Sequence, residues 1–264
     1  VIPMDKDGVL DMDAYKNLLN SKTKMVAVNH ISNALGTINP VKEMCSLAHQ
    51  VGAKVLIDGA QAGPHCFIDV KDIDADYYCI SGHKVYGPTG IGALYGKEKL
   101  LKELPPYQGG GEMIATVSFD KTTYADLPHK FEAGTPNIAG GIALKYALDW
   151  INEIGIDNIQ KYEKELLEYA HQELATIEGM RFIGQANEKA GAVSFLINDI
   201  HPYDIGMILD KLGIAVRTGH HCAQPVMDAF QIPGTVRASF AVYNTKEEID
   251  KLVEGVKKAK SMLE

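Results

Sequence analysis

Lys54-Val55-Leu56-Ile57-Asp58-Gly59-Ala60-Gln61 is a short apolar run that stops at a carboxylate and then turns on glycine. Its length and apolar character read as a strand. Upstream, Pro40 to Val51 reads as a helix: Pro40 suits a first turn, and Val41, Met44, Cys45 and Ala48 follow helical spacing. Before that helix, Met25 to His30 reads as a buried strand. Beyond Gln61, Asp76 to Ile80 and Gly90 to Tyr95 read as two more. Strands separated by helices imply an α/β fold on a mostly parallel sheet. In such sheets ligands bind beyond the carboxyl ends of strands, and Asp58 stands at one such end.

Further along, Gly109-Gly110-Gly111 opens a polar, Thr-rich stretch to about Pro136, which reads as a long loop or projecting hairpin. Ile138 to Ile154 is expected to be a helix, with Gly155 separating it from a longer one over about Asp157 to Ile177. The last hundred residues read as a second α/β unit. Ala192 to Ile197, Ile214 to Arg217 and Thr235 to Phe240 are its strands. A terminal helix is capped by Thr245 and carries the stripe Ile249, Leu252, Val253, Val256.

The 264 residues can bury a large core. With 26 basic and 34 acidic residues the net charge is −8, which argues against a nucleic-acid partner. No run approaches the ~18 apolar residues of a membrane span. Cys45, Cys66, Cys79 and Cys222 form no C-x-x-C pair, and free thiols fit a reducing, cytoplasmic compartment.

Four groups of residues can carry chemistry. Asp58, with Gln61 beyond it, can hold a cationic ring nitrogen; a turn or helix cap is the plain alternative. Ser81-Gly82-His83-Lys84, with the glycine-rich tail to Gly92, can offer hydrogen bonds to a phosphate and a Schiff-base amine; a solvated lysine in a strand connection is the alternative. The spacing is neither a Walker loop nor a dinucleotide fingerprint. In Arg217-Thr218-Gly219-His220-His221-Cys222-Ala223, the cysteine has positive neighbours that favour a nucleophilic thiolate. Zinc is a competing reading, although no partner motif is found, and an ordinary loop cysteine is the plain one. Arg237, in Val236-Arg237-Ala238-Ser239-Phe240, suits bidentate binding of a carboxylate or a salt bridge to one of the acids.

Taken in order, Asp-x-x-Gln, Ser-x-His-Lys, Arg-x-Gly-His-His-Cys-Ala and Arg-x-Ser-Phe resemble the class V, fold-type I pyridoxal-phosphate enzymes. The His-His-Cys-Ala block is similar to the group II, SUF-type cysteine desulfurases, also called selenocysteine lyases. The resemblance runs from about residue 5 to the C-terminus. It implies a large cofactor-binding domain over residues 1–154 and a smaller C-terminal domain over 155–264 that carries the cysteine loop. It implies pyridoxal 5'-phosphate on Lys84, with Asp58 on the ring nitrogen and Gln61 on the phenolic oxygen. Ser81 and His83 would contact the phosphate, and Thr135 a phosphate across a dimer interface. Asn33 and Arg237 would bind the substrate carboxylate, and Arg217 would steady the Cys222 loop. No metal is implied.

The implied reaction takes L-cysteine to L-alanine and leaves a persulfide on Cys222. A sulfur-acceptor protein would collect it for iron–sulfur cluster assembly. L-selenocysteine lysis, or another class V elimination, is the alternative. Family members are about half as long again, and their N-terminal phosphate-binding turn and ring-stacking His have no counterpart here. Because Val1 is not a Met, a truncated piece with weakened cofactor binding, exposed sheet edges and even no activity of its own is a third expectation.

Overall fold

The computed structural model describes residues 1–264, arranged around two four-stranded sheets. In chain order the first elements are α1 (Met12–Leu18), β1 (Met25–Asn29), α2 (Val41–Gln50), β2 (Lys54–Asp58), β3 (Tyr77–Ser81), β4 (Gly92–Gly96) and α3 (Glu98–Glu103). There follow the hairpin strands β5 (Ile114–Val117) and β6 (Thr122–Tyr124), then α4 (Ile138–Ile154) and α5 (Ile156–Leu174). The rest is β7 (Met180–Ile183), β8 (Ala192–Ile197), α6 (Pro202–Lys211), β9 (Arg217–Gly219), α7 (Gln224–Phe230), β10 (Thr235–Ser239) and α8 (Lys246–Leu263). No helix is long and apolar enough to cross a membrane.

The first sheet has the order β1-β2-β3-β4. β1, β2 and β3 are parallel, and β4 is antiparallel to β3. The connection from β3 to β4 is too short to hold a crossover helix, so the chain must turn back. α2 covers this sheet, packing Met44, Cys45 and Ala48 with Val55 and Ile57 of β2. Met25 to His30 is less buried than its apolar character suggests. β1 is an edge strand with Met25 and Ala27 exposed, because only β2 pairs with it.

The second sheet, β7-β8-β10-β9, is antiparallel throughout. β8 is buried at every residue, and Leu166, Phe195, Ile205, Val236, Ile249 and Val256 join in its core. α8 starts at Thr245 in a capping box with Glu248, which satisfies two otherwise orphaned amides. The strand expected at Ile214 to Arg217 begins only at Arg217. Ile214 and Val216 instead pack against the core as the chain enters from α6. The polar stretch forms the β5–β6 hairpin, with Phe119 at its exposed turn. Loop 31–39 docks the two sheets together: Ser194 Oγ donates to Ala34 O, and Ala190 N to Gly36 O.

Asp76 anchors the first sheet at the end remote from the strand C-termini. Its buried carboxylate lies 2.8 Å from His49 Nε2, accepts from Val55 N at 2.8 Å and meets Lys97 Nζ at 3.1 Å. Burial opposes the charge, but His49, the Val55 amide and Lys97 together hold the carboxyl below its usual range. Lys97 does the same for Asp74. A folded pKa below the unfolded one means stability that is complete above about pH 5 and lost as pH falls below about 4. Asp76→Asn is expected to cost about 1–3 kcal/mol at pH 7 and less at pH 3. Urea melts of both proteins from pH 3 to 7 check this; an equal loss at both ends would remove the ionic explanation.

Candidate active site

The carboxyl ends of β1, β2 and β3 point to one side of the first sheet, as parallel strands require. Each delivers a polar residue there: Asn29, Asp58 and Ser81. β3 runs directly into a single 3-10 turn, Gly82–Lys84, which sets His83 and Lys84 beyond the strand. Two glycines allow the close packing. A Cβ on Gly82 would lie 2.7 Å from Ile91 O, and one on Gly59 only 1.9 Å from the Tyr78 ring. Under Gly59, Tyr78 Oη meets His30 Nδ1 at 2.8 Å, and burial lowers the His30 pKa to about 4, so a neutral buried pair floors the site.

Two adjoining cavities open here, of about 200 and about 400 Å³. Asn33, Gln61 and Lys84 line both. Asp58 and Cys222 line the larger, and His83 and Arg237 the smaller. Asp58 also accepts from Ala60 N at 2.9 Å, so it caps a turn while lining the cavity. Ser81 Oγ and His83 Nδ1 are 3.1 Å apart. Thr135 lies apart from both cavities and is exposed.

The second sheet supplies the other wall. Arg237 on β10 pairs in register with Arg217 on β9, so two cations stand directly opposite one another. That costs energy unless an anion comes between them. Neither arginine forms a salt bridge with a carboxylate. Arg237 Nη1 donates to Asn33 O, and its buried Nε has no partner. Burial and then Arg217 push the Arg237 pKa down, against the Cys222 sulfur. The salt bridge that is the alternative for Arg237 is not formed within these 264 residues. The Arg237 Nε is left as a buried donor with no hydrogen-bond partner.

Arg217 Nη2 donates to Cys222 Sγ at 3.4 Å and places a positive charge beside the sulfur. The two histidines do not act alike. His220 is exposed, whereas His221 is buried with Nε2 2.8 Å from Thr235 Oγ1. Burial first, then Arg237 and Arg217, lower the His221 pKa to about 4. His221 is thus neutral near pH 7 and supplies no charge to the thiol, contrary to the adjacency in the sequence. No group of three or more His, Cys, Asp or Glu side chains is placed to hold a metal ion. Asn33 Nδ2 donates to His221 O, an engagement that the sequence did not reveal.

Sequence reading also missed His65, which lines the smaller cavity. Its Nδ1 lies 2.6 Å from Glu163 Oε2 on α5, with Glu163 buried. The pair is separated by 98 positions, so no local signal marks it.

The chain matches the family described as aminotransferase class-V over residues 1–252. It belongs to that family. A cysteine desulfurase of Escherichia coli O8 (strain IAI1) is 50% identical over all 264 residues, which cover 65% of that relative. The solved structure of the Escherichia coli cysteine desulfurase CsdA, in an S-sulfonic acid form, superposes with a TM-score of 0.96 at 38% identity, over 100% of this chain and 65% of that one. The apo cysteine desulfurase of Thermococcus onnurineus NA1 gives 0.95 at 40%, over 99% of this chain and 66% of that one. This member of the class-V family thus spans about 65% of the length of the curated relatives it matches. Its fold is that of the fold-type I enzymes.

The family is pyridoxal-phosphate-dependent, and the site fits that group in this structure. Asp58 puts a carboxylate at a strand end that lines the larger cavity, a charge that suits a cationic ring nitrogen. Lys84 reaches both cavities. Ser81 and His83 offer hydrogen bonds for an anion. Arg237 Nε, buried and without a partner, offers one more donor beside the smaller cavity.

Proposed function

We propose that this class-V protein is a cysteine desulfurase that converts L-cysteine to L-alanine and leaves a persulfide on Cys222. The observation that carries this reading is one cavity shared by Lys84, Asp58 and an exposed thiol, with Arg217 bonded to that thiol. Plain elimination chemistry needs no thiol at that place.

When bound, the cofactor supplies an electron sink that acidifies the Cα of an amino acid. Lys84 would hold it and move the Cα proton. Asp58 would hold the ring nitrogen, Gln61 the phenolic oxygen, and Ser81 with His83 the phosphate. Arg237, helped by Asn33, takes the substrate carboxylate and so fixes which way the amino acid lies. The Cys222 thiolate attacks the substrate sulfur: the S–S bond forms as the Cβ–S bond breaks, and the carbon fragment leaves as alanine after protonation.

The reading extends to a cytoplasmic homodimer that hands sulfur to an acceptor protein for iron–sulfur cluster assembly. Four unpaired cysteines suit a reducing compartment. Ile138, Ile142, Tyr146 and Trp150 form an exposed apolar stripe along α4, just after the exposed Thr135, which suits a partner subunit whose phosphate Thr135 would reach. We place the division between a larger cofactor-side unit, 1–154, and a smaller unit, 155–264, at Gly155 between α4 and α5.

Borohydride reduction in the presence of pyridoxal phosphate tests the reading. Mass mapping is expected to find a phosphopyridoxyl group on Lys84, and the unreduced protein is expected to release alanine from L-cysteine. Adducts scattered over surface lysines, or no alanine, would overturn it.

A further inference from the structure

His221 and Cys222 have φ of +55° and +58° in succession, and neither is glycine. Cβ crowding makes the left-handed region unfavourable for such residues, so the surrounding structure must hold them there. Three contacts do so. The His221 ring, 2% exposed, bonds through Nε2 to Thr235 Oγ1 at 2.8 Å, and Thr235 is itself 0% exposed on β10. The His221 carbonyl accepts from Asn33 Nδ2. Gly234 sits so close to Gly219 that a Cβ there would lie 2.9 Å from the Gly219 backbone, which presses the start of β10 against the end of β9.

These contacts converge on one turn. Asn33 Nδ2 donates to the His221 carbonyl, and the Asn33 carbonyl accepts from Arg237 Nη1. A single residue therefore touches both the cysteine loop and the arginine whose Nε lacks a partner. His221 Nδ1 is buried and unpartnered, so the Thr235 hydroxyl is the only hydrogen bond its ring makes.

We propose that His221 is a positioning residue whose imidazole, pinned to Thr235, holds the left-handed turn that presents the Cys222 sulfur to Arg217 and the cavity. Asn33 couples this turn to Arg237. The consequence for turnover rests on the desulfurase reading; the clamp itself does not.

Thr235→Val removes the hydroxyl at nearly constant volume, and Thr235→Ser keeps it. Amide hydrogen exchange and steady-state kinetics with L-cysteine are measured on the cofactor-loaded protein and both variants. Thr235→Val is expected to speed exchange in the peptide spanning residues 219–223 by about tenfold or more and to leave β2 and β3 unchanged. It is expected to lower kcat about tenfold while KM stays within about twofold, because a displaced sulfur slows transfer without weakening carboxylate binding. Thr235→Ser is expected to match the wild type in both. Unchanged exchange in Thr235→Val, exchange raised throughout the chain, or a serine variant as impaired as the valine one would overturn the proposal. A wild-type protein that turns over no L-cysteine would defeat the desulfurase reading, and the exchange comparison would still decide the clamp.

Discussion

Lys84→Ala is expected to eliminate the phosphopyridoxyl adduct in the site and to reduce L-cysteine turnover by about 10⁴-fold or more. The magnitude follows from the two duties proposed for one amine, holding the cofactor and moving the Cα proton. Geometry supports both, since Lys84 is half-buried and lines the two cavities that Asn33 and Gln61 also join. The turn that carries it is fixed by glycine: a side chain on Gly82 would strike Ile91 O, and one on Gly87 would come within 2.8 Å of Gly82 O. Lys84→Arg keeps the charge but has no nucleophilic amine, so it is expected to fail like alanine. Trapping by borohydride and an alanine assay read both duties. An arginine variant with near-normal activity would sink the covalent role.

Cys222→Ala is expected to reduce alanine release from L-cysteine by about 10³-fold and to leave no persulfide, while L-selenocysteine cleavage persists. Of the four thiols, Cys222 is the one the fold leaves exposed. Burial pushes Cys45 and Cys66 up to about 11, which leaves them poor nucleophiles at neutral pH. Arg217 bonds to the Cys222 sulfur, and none of the other cysteines lines the larger cavity. Cys66→Ala is therefore expected to behave as wild type. Full desulfurase activity in Cys222→Ala would remove the proposed role, and equal loss on both substrates would turn it into a structural one.

Much of this architecture was legible locally. The run ending at Asp58, the helix beginning after Pro40, the β5–β6 hairpin and the Thr245 cap depend on neighbours a few residues apart. A linear sequence displays such neighbours directly. So does the order of the polar blocks around Lys84 and Cys222, whose resemblance to class-V enzymes the family match and the superpositions support. The short helices α1, α3, α6 and α7 were not legible, because each turns on a few residues whose burial is settled elsewhere in the chain.

The sequence by itself determined the longer helices, most of the strands, the strand-end carboxylate and the set of candidate site side chains, since these follow from residue type and short spacing. Tertiary structure alone decided how those side chains are used. It buried His221 against Thr235 instead of leaving its charge beside Cys222, it set Arg237 opposite Arg217 without a carboxylate, and it joined His65 to Glu163. Each outcome depends on desolvation and on contacts between residues far apart in the chain, and neither exists until the two sheets have closed on one another.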